Sequence, residues 1–209
     1  IVNSNAHLLA ALCREIGVEP VVQPIVRDEY VDTREAFRHA VDTADMVVSS
    51  GGVSVGAHDE VHGVVEELTG GMDFWKIKMK PGKPLAFGTT QRQRPTPILG
   101  LPGNPNSCFV CFHQFVAPAL EVMQGANPSD VAPRRHAATL LRDVTSTPRR
   151  RHYLAGRLVD KDGPVGFMPA ERQSSGNVAL FCQQDAFGIV PEGVDEMTAG
   201  ETIEVELIG

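Results

Sequence analysis

Ser49-Ser50-Gly51-Gly52-Val53-Ser54-Val55-Gly56-Ala57-His58-Asp59 lies between a short apolar run, Asp45 to Val48, and a segment, Glu60 to Leu68, whose apolar residues recur at helical spacing. The order is strand, glycine-rich loop, helix. Gly51, Gly52 and Gly56, with Ser50 and Ser54, carry so little side-chain bulk that main-chain N–H groups can approach a ligand closely. A loop of this kind opening a helix favours an anion, because the first helical turn has free N–H donors and the positive end of the helix dipole. Asp59 stands at its mouth. A carboxylate there would repel an anion, so Asp59 is expected to hold a divalent cation or to take part in proton transfer; as structure alone it is a helix N-cap.

Upstream, the chain opens with Ile1-Val2-Asn3-Ser4-Asn5, which reads like the end of a strand, and Ser4 or Asn5 is expected to cap a helix from His7 to Ile16 that Gly17 stops. A β-rich segment follows from Val18 to Val26 and ends at Arg27-Asp28-Glu29. Asp32 and Glu35 form a capping pair for a helix through Ala44. This β-α-β-α alternation predicts an α/β fold, a three-layer αβα sandwich on a mostly parallel sheet. Ligands of such sheets bind beyond the carboxyl ends of the strands, which is where Asp28 and the glycine loop fall.

Downstream, Lys76, Lys78, Lys80 and Lys83 are four of the five lysines in the chain. A strand from Asp73 to Met79 would put Lys76, Lys78 and Lys80 on one face, and like charges so arranged need something negative between them. Edge-strand protection is the plain alternative. The Pro81-Gly82-Lys83-Pro84 turn, stiffened by two prolines, argues for a ligand instead. After a strand from Leu85 to Gly88 and a polar connection from Thr89 to Pro97, the pattern repeats. Ile98 to Leu101 is a strand, Pro102-Gly103-Asn104-Pro105-Asn106-Ser107 a tight loop capped by Asn106 or Ser107, and a helix runs to about Met123. Beyond a linker at Gly125 to Ser129, short β-like runs at Ala137 to Leu141, His152 to Leu158, Ala179 to Cys182, Ala186 to Val190 and Thr202 to Ile208 predict a small β-barrel. The expected division is 1–125, an α/β ligand-binding domain, and 126–209, the barrel. Gln173-Ser174-Ser175-Gly176 is a polar loop that could face the ligand edge, and Arg149-Arg150-Arg151 reads as a solvated turn.

The 209 residues are 42% hydrophobic, with a net charge of −7 that argues against a general nucleic-acid binder. No run long enough to cross a membrane and no signal peptide is present, so a cytoplasmic protein is expected. Cys108 and Cys111 have C-x-x-C spacing but sit in an apolar helical run with no second pair, which makes them core thiols. His58 and His62 are four apart, but no glutamate directly follows the first and no third zinc ligand is evident. Neither the P-loop nor the G-x-G-x-x-G order occurs, nor a G-x-S-x-G elbow.

Ser49 to Asp59, Lys78-Met79-Lys80-Pro81-Gly82-Lys83-Pro84 and Gly100-Leu101-Pro102-Gly103-Asn104-Pro105, in that order, resemble the molybdopterin molybdenumtransferase family of molybdenum cofactor biosynthesis, which is related to the gephyrin E domain. The resemblance spans essentially the whole chain. It implies a molybdopterin-binding-like domain followed by a small β domain, and a reaction in which adenylylated molybdopterin and molybdate, with Mg²⁺, give the molybdenum-loaded dithiolene and AMP. By that resemblance Asp28 and Asp59 match functional acids, and Lys76 and Lys80 match functional lysines; a cation held by Asp28 and Asp59 would offset charge developing on the AMP leaving group. Ser50, Gly51, Gly52, Ser54, Gly56, Lys83 and the loop Pro102, Gly103, Asn104 and Pro105 would bind the pterin. The family also implies a homodimer in the full-length form and contact with molybdopterin adenylyltransferase. Asn3 stands where the family typically has Asp in an I-x-D-S-N motif. Family members carry two further N-terminal domains, so this chain is expected to bind pterin but to insert little molybdenum alone. A molybdopterin adenylyltransferase and a gephyrin-like scaffold module are the alternatives; the C-terminal β segment and the two proline loops disfavour the former.

Overall fold

The computed structural model describes residues 3–53, 60–160, 164–171, 173, 180 and 184–208. The chain folds as two units, Ile1–Ile77 with Gly82–Ala117, and Lys78–Pro81 with Pro118–Gly209.

In the first unit α1 (Ser4–Glu15) is capped by Asn3, whose side chain accepts from the Ala6 N–H at 3.1 Å, so the cap falls one residue before the expected Ser4 or Asn5. Gly17, at φ 75°, ends it, with its N–H donating to the Arg14 carbonyl. α2 (Tyr30–Thr43) begins earlier than the expected capping pair, and Asp32 lies within its first turn. Its buried Thr33, Phe37 and Val41 recur every four residues and turn one face to the core. α3 (Glu60–Thr69) adds Val64 and Val65, and these pack with Phe37, Val41, Val47 and Ile98 into one apolar cluster.

The sheet of this unit is β1 (Val47–Ser50), β5 (Pro97–Leu101), β4 (Ala86–Thr89) and β2 (Phe74–Trp75), in that spatial order. β1 and β5 run parallel, from Val47 opposite Ile98 to Ser50 opposite Leu101; the other two pairings are antiparallel. Both parallel strands therefore end at the same edge. The helical run after β5 is α4 (Pro105–Cys111), a π-helical turn (Phe112–Val116) and α5 (Ala117–Met123). Asn104, not Asn106 or Ser107, caps α4, accepting from the Asn106 N–H at 3.2 Å, with Pro105 at the first helical position where no N–H is needed.

The expected β segment from Val18 to Val26 forms no strand. Val21, Val22 and Ile25 are 70%, 57% and 73% exposed. Pro20 and Pro24 each lack a donor, and β propensity yields a strand only where a neighbouring strand supplies the ladder. Among the described residues β1 pairs with β5 and no other strand.

In the second unit five strands close on themselves: β6 (Arg135–Leu140), β12 (Thr202–Leu207), β10 (Ala186–Val190), β8 (Arg151–Val159) and β9 (Gly166–Pro169), which returns to β6. Closure leaves no open edge in the ring. Phe167 fills the interior because Gly156 and Gly188 flank it: a methyl group on either would lie 2.4 Å or 2.2 Å from its ring. Around it Leu140, Leu154, Ala186, Val190, Ile203 and Val205 complete the core. β3 (Met79–Lys80) lies parallel to the start of β8, with Met79 opposite Arg151 and Lys80 opposite His152, along the stretch of that edge which β9 does not reach. β7 (Val144–Thr145) and β11 (Glu196–Met197) form a separate ribbon.

Candidate functional site

The two tight turns foreseen at the sheet edge meet there. Because β1 and β5 are neighbours in register, Gly51 and Gly103 are brought face to face, and a methyl group on Gly103 would stand 3.3 Å from the Gly51 Cα. Any larger residue at Gly103 would push the turns apart. The Gly51 N–H donates to the Leu101 carbonyl at 2.9 Å, and Gly51 and Gly52 have φ 90° and 70°, a region that suits glycine. Pro102 is buried, Asn104 and Pro105 are half-buried, and Gly103 is exposed. Ser50 is half-buried. Ser54, Gly56 and Asp59 lie outside the described residues.

Asn5, which the sequence offered only as a cap, is 7% exposed and donates through its amide nitrogen to the Gly103 carbonyl at 2.9 Å. That carbonyl can only accept, so the amide oxygen must point elsewhere. It is buried and receives no hydrogen bond from any described residue, and the buried Ser49 hydroxyl is likewise without a partner. The periodicity of α1 could have flagged Asn5, a polar residue on its inward face.

The lysine-rich stretch departs from expectation. In place of one strand from Asp73 to Met79, β2 ends at Trp75 and β3 begins at Met79, and the two belong to different sheets. The break is at Lys76, whose φ of 64° reverses the chain direction that an alternating strand requires. Lys76, Lys78 and Lys80 therefore do not share a face.

Lys76 belongs to the first unit, with its ammonium 3.3 Å from the centroid of the Trp75 ring. The indole N–H of Trp75 donates to the Val53 carbonyl at 3.4 Å, tying this cation to the end of the Gly51-Gly52-Val53 turn. His62 meets the same indole edge-on at 4.3 Å, and His58 lies outside the described residues. Lys83 is exposed, on a turn held by the Ile77 N–H donating to the Lys83 carbonyl at 3.0 Å. Asp28 is exposed on the connection into α2.

Lys80 belongs to the second unit, beside His152. His152 is buried, its Nδ1 3.0 Å from the Ser146 hydroxyl, and its pKa is pushed down to about 4 by burial and then by the charges of Lys80 and Arg150. Lys78 is spent on a surface ion pair with Glu192. Gln173 hydrogen-bonds the Ala155 backbone and the Ala170 carbonyl, so its amide is part of the barrel framework; Ser174, Ser175 and Gly176 lie outside the described residues. Cys108 and Cys111 are buried thiols, with burial pushing Cys108 up to about 12 and Cys111 higher, as core thiols require. No group of three or more His, Cys, Asp or Glu suited to a metal occurs among the described residues, and no helix there is long and apolar enough to cross a membrane.

The first unit thus sets glycine and proline turns at the ends of two parallel strands, and the second is a closed five-stranded barrel. Residues 1–122 match the family described as a probable molybdopterin binding domain, and residues 137–208 match the MoeA C-terminal region, domain IV. The chain belongs to the molybdopterin molybdenumtransferase family. It is 36% identical over 211 residues to the molybdopterin molybdenumtransferase of Nostoc sp., covering 98% of this chain and 47% of that protein. To the molybdopterin molybdenumtransferase of Haemophilus influenzae it is 30% identical, covering 99% and 50%. The crystal structure of a molybdopterin biosynthesis MoeA protein from Pyrococcus horikosii superposes with a TM-score of 0.79 at 30% identity, covering 99% of this chain and 48% of that one. The chain spans about half the length of the curated relatives it matches.

Proposed function

We propose that this chain binds adenylylated molybdopterin and serves molybdenum cofactor biosynthesis by inserting molybdate into it with release of AMP, as part of a molybdopterin molybdenumtransferase. The observation that carries this is the meeting of the Gly51 and Gly103 turns at the ends of β1 and β5, with the Lys76 ammonium tied to the same turn through Trp75. A pterin phosphate, a pyrophosphate and molybdate are all anions, and this arrangement offers main-chain donors and a cation together. Ser50, Gly51, Gly52, Ser54, Gly56, Lys83 and Pro102 to Pro105 line the pterin in this reading. Lys76 is proposed to neutralise one of its anionic groups, and Lys80, carried by the second unit, is the other lysine that the family likeness proposes. The domain division at 1–125 and 126–209 belongs to the same proposal.

Magnesium bridging a phosphoanhydride commonly takes one or two carboxylates and leaves its other positions to phosphate and water, so the exposed carboxylate of Asp28 suits it without a preformed cluster. Asp28 and Asp59 are the residues proposed to hold it. Bound there, Mg²⁺ would offset the charge that gathers on AMP as the bond to the pterin phosphate breaks. The same reading assigns the full-length protein to a cytoplasmic homodimer that meets an adenylyltransferase.

Calorimetric titration of the purified 209-residue chain with molybdopterin and its adenylylated form, with and without Mg²⁺ and molybdate, tests the reading. Saturable binding of the adenylylated form, tightened by Mg²⁺, is expected, with little molybdenum insertion by this chain alone. Failure to bind either pterin, with tight binding of a protein partner instead, would favour a scaffold module.

A further inference from the structure

Trp75 is the only tryptophan in the chain, half-buried beside the glycine turn. An indole in that position would ordinarily be read as a platform on which a flat heterocycle stacks. The geometry gives it another task. The Lys76 ammonium stands 3.3 Å from the ring centroid, so one face of the indole is already covered by a cation. Its N–H is committed to the Val53 carbonyl, and the ring of His62 stands 4.3 Å away at 67°.

Lys76 is also the one non-glycine residue with positive φ among the described residues. Such a backbone is disfavoured for lysine and persists where its surroundings fix it, often at functional sites. Here the Lys76 N–H donates to Leu85 and the Ile77 N–H to Lys83, both at 3.0 Å, which pins the reversal on either side. The lysine is thus turned back over the ring that precedes it. The negative face of an indole attracts an ammonium and leaves its N–H groups able to bind an anion. A solvent-exposed lysine would have to give up rotamer freedom on binding, whereas this one has already given it up.

We infer that Trp75 is a positioning residue: its ring holds the Lys76 ammonium beside the Gly51-Gly52-Val53 turn, so that an anionic group of the bound pterin meets a charge already in place. The inference rests on the proposed pterin site.

The test is calorimetric titration of the 209-residue chain with molybdopterin, comparing wild type, Trp75→Leu, Trp75→Phe, Lys76→Met and the Trp75→Leu/Lys76→Met double variant. Trp75→Leu is expected to bind about 3- to 30-fold more weakly, the range of a partly desolvated cation–π contact. Trp75→Phe keeps a ring face while losing the N–H, and should stay within about threefold of wild type. In the Lys76→Met background Trp75→Leu should cost nothing more, because the indole acts through the lysine. Phenylalanine no better than leucine, or an undiminished Trp75→Leu effect without Lys76, overturns the inference while leaving the pterin site standing. A wild-type chain that binds no pterin removes both. If Trp75→Leu fails to fold, lysine-selective NMR of the wild type decides: the Lys76 ε-protons must show the upfield ring-current shift of a group above an indole, and a random-coil position overturns the inference.

Discussion

Residues 74–77 and 78–81 adjoin in sequence and carry the same kind of side chain, yet each meets a different fate. In the first segment the backbone turns back at Lys76 and the cation is stored on an aromatic ring beside a glycine turn. In the second the backbone stays extended as β3, joins the barrel strand β8, and brings Lys80 beside a buried histidine while Lys78 reaches Glu192 on the surface. Equal spacing in a sequence thus says little about equal roles. What separates the lysines is one residue with left-handed backbone, which ends one sheet and frees the chain to enter another.

The comparison is broken most directly at Lys76. Lys76→Ala should weaken molybdopterin binding to the 209-residue chain about 10- to 100-fold, the scale of a lost charge-assisted hydrogen bond. Calorimetry measures it, and an unchanged affinity would mean the stored ammonium never meets the ligand.

Much of this was legible beforehand. The strand–loop–helix units around Gly51 and Gly103 follow from apolar runs bounded by glycine and proline, and their place at one sheet edge from the alternation of strands and helices; that the two strands are neighbours comes from the structure. β10 coincides with the expected Ala186 to Val190, because a run of five buried residues between turns has few other solutions. What sequence could not supply was non-local. The reversal at Lys76 depends on hydrogen bonds to Leu85 and Lys83 that no local propensity encodes. Val18 to Val26 has β-type residues but no strand to pair with among the described residues, and the periodicity that turns Asn5 inward does not name its partner, the carbonyl of Gly103 nearly a hundred positions away. β9 was missed because Gly166-Phe167-Met168-Pro169 is short and ends in proline.

If the two segments serve separate cores, damage to the barrel should leave the glycine turns alone. Gly188→Ala drives a methyl group into the Phe167 ring and should destabilise the second unit by about 1–3 kcal/mol, read as a lower unfolding midpoint in urea. Molybdopterin affinity measured well below that midpoint should stay near wild type if the turns alone carry binding, and a parallel loss would show that the barrel contributes.

Acid offers a milder probe of the same division, since among the described residues each unit holds one histidine whose pKa burial pushes down to about 4, the half-buried His113 in the first and the buried His152 in the second. The native pKa lies below the unfolded value near 6.5, so the unfolded chain takes up the proton first. The stability each contributes is complete above about pH 6.5 and falls by up to about 1.4 kcal/mol per pH unit between there and about pH 4. Urea midpoints between pH 7 and 5 should drop, and His152→Gln should flatten part of that slope. Within the same pair, Lys80→Met removes a charge that disfavours protonation of His152, so the imidazole pKa should rise toward its ordinary value, as followed by NMR titration of its ring protons.

Lys78→Ala should do least, and for that reason it tests the comparison most sharply. The side chain is 76% exposed and its ammonium lies 2.9 Å from a Glu192 carboxylate that is itself 49% exposed. Such pairs trade Coulomb attraction in water against the entropy of two immobilised side chains, and they contribute between nothing and about 1 kcal/mol. An alternating strand would have made Lys78 a central member of an anion-binding face, and its loss would then have rivalled that of Lys76. With β2 and β3 in different sheets, Lys78→Ala should change molybdopterin affinity by less than about twofold and the urea midpoint scarcely at all. A loss approaching that of Lys76→Ala would restore the continuous cationic strand and remove the distinction on which the roles of the three lysines rest.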